Sequence, residues 1–151
     1  MDFSLTKEEA LLQKMAREFA EKNIAPLAEQ IDHENKVPDE ILAGLAELEL
    51  MGVPFSEEYG GADAGYIGYV LAVEQLARCS SGVAMIMSAH TLSLGAINAF
   101  GTEEQKKKYM PPCCKGEHVA SFAFTEPGTG SDPKQIATTA VKDGDSYILN
   151  G

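Results

Sequence analysis

Residues 119–132 read Val119-Ala-Ser-Phe122-Ala-Phe124-Thr125-Glu126-Pro127-Gly128-Thr129-Gly130-Ser131-Asp132, and the rest of the chain leads up to this stretch or away from it. Its first half is small, apolar and aromatic, which predicts a buried strand, while its second half is dense in turn formers carrying hydroxyls and carboxylates. A strand thus delivers a polar loop. Gly128 and Gly130 permit close backbone approach or a positive φ, Pro127 stiffens the turn, and successive N–H groups can form a concavity for an anion. Thr125 and Ser131 add hydroxyl donors on either side. On spacing alone an ordinary Gly/Ser-rich loop competes with this ligand-holding reading. Neither the dinucleotide nor the P-loop glycine pattern is present.

Composition narrows the class. The chain has 151 residues, 44% hydrophobic and 23% charged, enough for one domain with a real core or one domain and a piece of another. A formal charge of −11 with no basic stripe argues against nucleic acid as a partner. Cys79, Cys113 and Cys114 form no Cys-x-x-Cys pair, so neither a disulfide framework nor a zinc site is expected, and no metal site is assigned. The start, Met1-Asp-Phe-Ser-Leu5, lacks the basic and apolar blocks of a secretory signal. A cytoplasmic, bacterial setting is expected, with the mitochondrial matrix as the alternative.

Upstream of the central stretch the periodicity is helical. Thr6-Lys-Glu-Glu9 has the capping-box form, and Leu12, Met15, Ala16, Phe19, Ala20, Ile24, Leu27 and Ile31 then recur at threes and fours. Pro26 should kink or split this helix near Asn23. Pro38 opens a second helix through Ile41, Leu42, Leu45 and Leu48 to a stop at Gly52, and residues 53–65 read as a loop. A third helix, 66–78, is apolar on most sides and is expected to be central. From Ser80 to Phe100 there is no Asp, Glu, Lys or Arg, a run long enough to span a bilayer. Its Ser, Thr, Asn and His content and its bias to Ala, Gly and Met favour a helix buried in a bundle instead, with no membrane span. There His90 is expected as a hydrogen-bonded core or pocket-edge residue, with Met85 and Met87 as core fillers.

Thr102-Glu-Glu-Gln105 is a second capping box, and Lys106, Lys107 and Lys108 read as a solvated helix face. Pro111-Pro112 is expected to end this helix and mark the domain boundary, leaving Cys113-Cys114 as linker thiols. Downstream, 137–141 and 146–150 flank Lys142-Asp-Gly-Asp145 and predict a hairpin. Asn150-Gly151 is a turn signal with no returning strand, which reads as a β domain interrupted in mid-sheet. The expected architecture is mainly α: an N-terminal helical bundle, 1–115, then the start of an antiparallel β domain, 116–151.

Four collinear motifs carry a resemblance. Phe122-Ala-Phe-Thr-Glu-Pro-Gly-Thr-Gly-Ser-Asp132 resembles the signature of the acyl-CoA dehydrogenase family, and Glu57-Glu-Tyr-Gly-Gly61, Phe100-Gly-Thr-Glu-Glu-Gln-Lys-Lys-Lys-Tyr109 and Gly144-Asp-Ser-Tyr-Ile-Leu-Asn-Gly151 resemble further landmarks in the family's order. The resemblance covers essentially the whole chain, and the chain covers less than half of the family's length.

What the resemblance implies is specific. The fold would be helical domain, β domain, second helical domain, the last of these absent here. Members oxidise an acyl-CoA thioester to its enoyl form with FAD, electron-transfer flavoprotein usually collects the electrons, and homotetramers are common. By the same resemblance Phe122, Phe124 and Thr125 match the strand that contacts the flavin, and Gly130 and Ser131 match the turn near its phosphates. Ser131 also matches a substrate-binding position beside CoA. No catalytic residue is assigned, since the family's base belongs to the missing domain, and Glu126 reads as structural. Thr129 and Asp132-Pro-Lys-Gln135 depart from the usual small residues, which leaves substrate choice open although the short-chain, butyryl-type branch is the best match. An oxygen-using acyl-CoA oxidase and a non-catalytic helical assembly module are the alternatives, and the isolated piece is expected to be inactive.

Overall fold

A computed structural model describes residues 3–151; Met1 and Asp2, part of the N-terminal reading, lie outside the described residues. Six α-helices precede two β-strands among the described residues. The chain divides into two compact units, one ending at Ser121 and the other Phe122–Gly151.

In the first unit, α1 (Lys7–Phe19) opens on the expected box: the Thr6 hydroxyl accepts from the Glu9 N–H at 3.1 Å, and the Glu9 carboxylate accepts from the Thr6 N–H at 2.8 Å. The apolar periodicity continues to Ile31, but the helix does not. Pro26 has no N–H and its ring crowds the preceding turn. The backbone answers by loosening into a π turn over Ala20–Ile24 and tightening into a 3-10 turn over Ala25–Leu27 before α2 (Ala28–Glu34) resumes. The change of pitch keeps Ala20, Ile24 and Ile31 all in the core.

The next helix, α3 (Asp39–Glu47), follows directly on Pro38 and ends earlier than Gly52, because Glu49 adopts a left-handed φ of 57° and a 3-10 turn, Leu50–Gly52, takes over. Close packing fixes it on α1: a Cβ on Gly44 would come within 2.5 Å of the Phe19 ring. The segment 53–65 is a loop in sequence but is built tightly. Gly61, Ala62, Asp63 and Ala64 donate their N–H groups back to Ser56, Gly52, Phe55 and Val53 at 2.8–3.1 Å. A 3-10 turn over Glu57–Tyr59 ends at Gly60 with φ +79°, and Phe55 is buried beneath.

α4 (Gly65–Ala77) packs against α1 and α5 (Ser81–Phe100), and α5 packs against α6 (Glu103–Cys114). α4 is central in the expected sense of lying between α1 and α5, but it is not buried on most sides: Gly68, Ala72, Gln75 and Leu76 are buried, while Tyr66, Ile67 and Val70 are exposed. Its polar Gln75 is satisfied across the α1–α4 contact, accepting from Arg17 Nε at 2.9 Å and donating to Glu74 at 3.0 Å.

Helix α5 is the one helix among the described residues long and apolar enough to cross a membrane. It is used as a bundle helix, capped by the Ser80 hydroxyl and burying Val83, Ala84, Met87, His90, Thr91, Ser93 and Leu94. Met87 fills core as expected; Met85 instead faces outward, two-thirds exposed.

Helix α6 begins on a capping box, Thr102 with Gln105, and it does not end at Pro111-Pro112 but runs through them to Cys114. Two prolines remove the donors that would reach the Lys107 and Lys108 carbonyls, yet both residues are exposed, where water can take the place of the lost partner. The Pro111 and Pro112 carbonyls in turn accept from Lys115 and His118. Cys113 and Cys114 are consequently buried core residues rather than linker thiols, and burial, with Cys113 as a neighbour, pushes the Cys114 thiol up to about 11. Lys107 and Lys108 are exposed as expected, whereas Lys106 is largely covered and pairs with Glu103 at 3.3 Å.

The core forms two clusters. One gathers residues of α1, α3, α4 and α5 around Leu45, Leu76 and Met87; the other joins Phe55, Tyr59, Leu94, Met110, Cys113 and Cys114. In the second unit, β1 (Thr139–Asp143) and β2 (Ser146–Asn150) pair antiparallel, Asp143 opposite Ser146, around Gly144 at φ +58°. This is the expected hairpin, and both strands are exposed along their length.

Candidate functional site

The stretch 119–125 is not the buried strand its composition predicts. It pairs with no other strand among the described residues, where the only ladder joins β1 to β2, and Val119 and Phe122 are about half exposed. β-forming side chains need a hydrogen-bonded neighbour before they make a strand. What survives is alternation: the rings of Phe122 and Phe124 lie on one side, 5.4 Å apart between centroids and 14° from parallel. Two offset aromatic faces next to a run of short polar residues make a surface suited to a flat ring system.

Beyond them the backbone folds back sharply. Glu126 and Thr129 exchange two backbone hydrogen bonds, Glu126 N–H to Thr129 O at 3.0 Å and Thr129 N–H to Glu126 O at 3.1 Å, with Pro127-Gly128 at the corner. Thr129, one of the departures noted in the sequence, is buried, and its hydroxyl donates to the Asp132 carbonyl. Asp132, the other departure, makes its own cap: one carboxylate oxygen accepts from the Lys134 N–H at 3.1 Å and the other from Gln135 Nε2 at 3.0 Å, closing the 3-10 turn Pro133–Gln135. Those bonds, Gln135's side chain first, hold the Asp132 carboxyl below its ordinary range.

Glu126 does what its sequence reading suggests. Its carboxylate accepts from the Ala137 N–H at 2.8 Å and the Thr138 N–H at 3.0 Å. These interactions, the Thr138 side chain foremost and then the two backbone donors, keep it ionised to lower pH than a free glutamate. A low-pKa carboxylate already filled by donors is a clamp and a poor proton acceptor.

The clamp leaves other groups free. Thr125, Gly130 and Ser131 are exposed, a Cβ at Gly128 would meet nothing within 4 Å, and one at Gly130 would meet only Thr125 Cγ2, at 4.0 Å. Neither glycine takes a positive φ. Their value here is open space above the backbone rather than an unusual turn. The geometry therefore gathers Phe122, Phe124, Thr125, Gly130 and Ser131 on one short segment. Sequence reasoning missed the Glu126 bridge to residues 137 and 138, which lie eleven and twelve positions further along the chain.

In the helical unit, His90 is fully buried and accepts the Ala120 N–H at Nδ1, 3.0 Å away, as the core reading of this residue expects. Burial lowers its pKa, opposed by the carbonyls of Cys113 and Met51. Tyr59 donates to Glu103 at 2.8 Å, which pushes the phenol up to about 12. A surface groove of about 590 Å³ between the end of α2 and the start of α5 is lined by Glu29, Asp32, Lys36, Cys79 and Ile86 and contains none of the expected site residues. No group of three or more His, Cys, Asp or Glu side chains able to hold a metal occurs among the described residues.

The chain as a whole is similar to known proteins. A short-chain specific acyl-CoA dehydrogenase of Clostridium acetobutylicum is 44% identical over 152 residues, covering 100% of this chain and 40% of its own length. A solved structure described as the electron transferring flavoprotein of Acidaminococcus fermentans, in the context of flavin-based electron bifurcation, superposes with a TM-score of 0.95 at 43% identity, covering 100% of this chain and 40% of that one. An acyl-CoA dehydrogenase of Bacillus anthracis complexed with FAD follows at 0.86 and 35% identity, covering 98% and 26% respectively. The chain thus spans about two-fifths of the curated relative it matches. The model of the acyl-CoA dehydrogenase N-terminal domain matches residues 6–117, and this chain belongs to the acyl-CoA dehydrogenase family.

Proposed function

We propose that the chain is the N-terminal part of an FAD-dependent acyl-CoA dehydrogenase that introduces an α,β double bond into a short-chain acyl-CoA thioester and passes the electrons to an electron-transfer flavoprotein. The observation that carries this reading is the division of labour in the loop: Glu126 is committed to two backbone donors, while Thr125 and Ser131 are exposed and the backbone at Gly128 and Gly130 is open. Substrate class and acceptor are supported by the likenesses to the Clostridium enzyme and the Acidaminococcus structure.

The residues present fit FAD. Phe122 and Phe124 supply a stacked aromatic surface, and Thr125 a hydroxyl for a ring heteroatom. Gly130 and Ser131 offer short donors and no side-chain bulk, as a diphosphate requires. In this reading Phe122, Phe124 and Thr125 hold the isoalloxazine end, Gly130 and Ser131 the diphosphate, and Ser131 also touches the CoA portion of the substrate. FAD, when bound, supplies the hydride-accepting centre that no amino-acid side chain provides. The protein's part is orientation and the exclusion of water. Glu126 holds the turn in shape, and the base that removes the α-proton is assigned outside residues 1–151, as is the remainder of the flavin site. The helical unit would sit in a homotetramer in the cytoplasm.

The test uses a full-length polypeptide containing this segment. It should purify yellow, and anaerobic addition of a four-carbon acyl-CoA should bleach the flavin faster than a sixteen-carbon one, with electron-transfer flavoprotein restoring the colour faster than air. Rapid reoxidation by air would instead mark an oxidase. The 151-residue chain alone should neither turn over nor hold FAD tightly. A colourless full-length protein that stays so in excess FAD would refute the reading.

A further inference from the structure

We propose that His90 is a positioning residue that fixes the point at which the chain leaves the helical unit for Phe122–Thr125, an inference that rests on the flavin-holding reading above. The path after α6 is pinned in steps. Gly116 turns with φ +73°, at a place where a Cβ would come within 2.4 Å of Ala46 Cβ, and the His118 N–H donates to Pro112 O at 3.1 Å. Ala120 is pinned next, its N–H directed at His90 Nδ1, thirty residues away in sequence and 3.0 Å in space. Ala120 also packs on the cluster of Phe55, Leu94 and Met110. Among the described residues, 121–125 then have no backbone partner until Glu126 meets Thr129. Among the described residues His90 is therefore the last hydrogen-bonding anchor before the proposed flavin residues.

The chemistry of the ring supports an acceptor's role. Since Nδ1 accepts, the neutral imidazole carries its proton on Nε2, and that buried nitrogen makes no hydrogen bond. The carbonyls of Cys113 and Met51 act on the ring without closing a hydrogen bond at Nε2, so among the described residues the one bond the His90 ring completes is the one to Ala120. The useful side of His90 is the one facing Ala120. An imidazolium would set two donors against each other there, so the anchor works only with a neutral ring.

Three measurements test this. Amide exchange on the 151-residue chain should show Ala120 losing protection by about tenfold in His90→Leu, with Leu76 in α4 unchanged, and His90→Asn, whose side-chain carbonyl can accept the same N–H, should recover most of it. In the full-length polypeptide FAD affinity should weaken by about tenfold in His90→Leu and stay close to wild type in His90→Asn. In the wild-type ¹⁵N spectrum His90 should carry its proton on Nε2, with Nδ1 unprotonated; a proton on Nδ1 would overturn the proposal even if His90→Leu fails to fold. Unchanged Ala120 protection in a folded His90→Leu, or unchanged FAD affinity in a protein that does bind FAD, would overturn it as well. A wild-type protein that never binds FAD, with Ala120 still protected through His90, would instead refute the flavin reading, leaving the anchor without that purpose.

Discussion

Gly61→Ala should be among the most damaging single-methyl additions in this chain. A Cβ there would sit 2.1 Å from the Phe55 carbonyl oxygen, 2.5 Å from its carbon and 2.7 Å from the Gly52 oxygen. Carbon and oxygen atoms not bonded to each other need rather more than 3 Å, so the overlap with Phe55 O is about 1 Å. None of these atoms is a flexible side-chain tip. Phe55 O accepts from Asp63 at 2.8 Å, and Gly52 O accepts from both Ala62, at 3.1 Å, and Phe55, at 3.0 Å. Relief requires breaking at least two of these bonds, at about 1 kcal/mol each, and shifting the fully buried Phe55. The total is about 2–4 kcal/mol, or a fall in Tm of roughly 6–13 °C for a chain of this size. The matched control is Gly95→Ala in α5, where a Cβ meets nothing within 4 Å; it should stabilise by about 0.5–1 kcal/mol. Calorimetry or urea unfolding of the two variants decides the matter. A Gly61→Ala protein within about 1 kcal/mol of wild type would show that the 53–65 segment yields where its hydrogen bonds say it should not.

Other perturbations have defined outcomes. Leu76→Ala, at a fully buried position between α1, α4 and α5, should cost about 2–5 kcal/mol by urea unfolding. Glu126→Gln keeps one acceptor oxygen for two donors, so amide exchange at Ala137 or Thr138 should accelerate while the helical unit is unchanged. Acid should weaken the fold through His90: its folded pKa lies below 6.5, so the unfolded chain binds the proton first. That contribution is complete above about pH 6.5 and is lost as pH falls toward the folded pKa; His90→Asn should flatten the decline in a pH series of unfolding midpoints.

Much of the helical unit was legible because its signals are local. Capping boxes at Thr6 and Thr102, the break forced by Pro26 and the Asp-Gly turn of the hairpin each depend on residues within one or two turns. The misreadings came from contacts the sequence does not display. Pro111-Pro112 stop a helix only if the carbonyls they orphan have nowhere else to go, and on the solvated side of α6 water suffices. Met85 and Met87 have the same chemistry, but two steps along a helix carry a residue to the opposite side. Phe122-Ala-Phe has strand-forming side chains and no ladder partner among the described residues. In the loop, the structural part of Glu126 was readable from the sequence, and Thr125, Gly130 and Ser131 are exposed there. The acceptance by Glu126 from Ala137 and Thr138, like the His90–Ala120 bond, joins positions whose separation follows no period.

The double proline in α6 has a consequence for how that region comes apart. An ordinary helix frays from its tip inward, each turn resting on the one before. Here the tip receives nothing from Lys107 and Lys108, and is fastened instead by Lys115 and His118 reaching back from downstream. The closing turn and the strap that follows it should open and shut as a single latch.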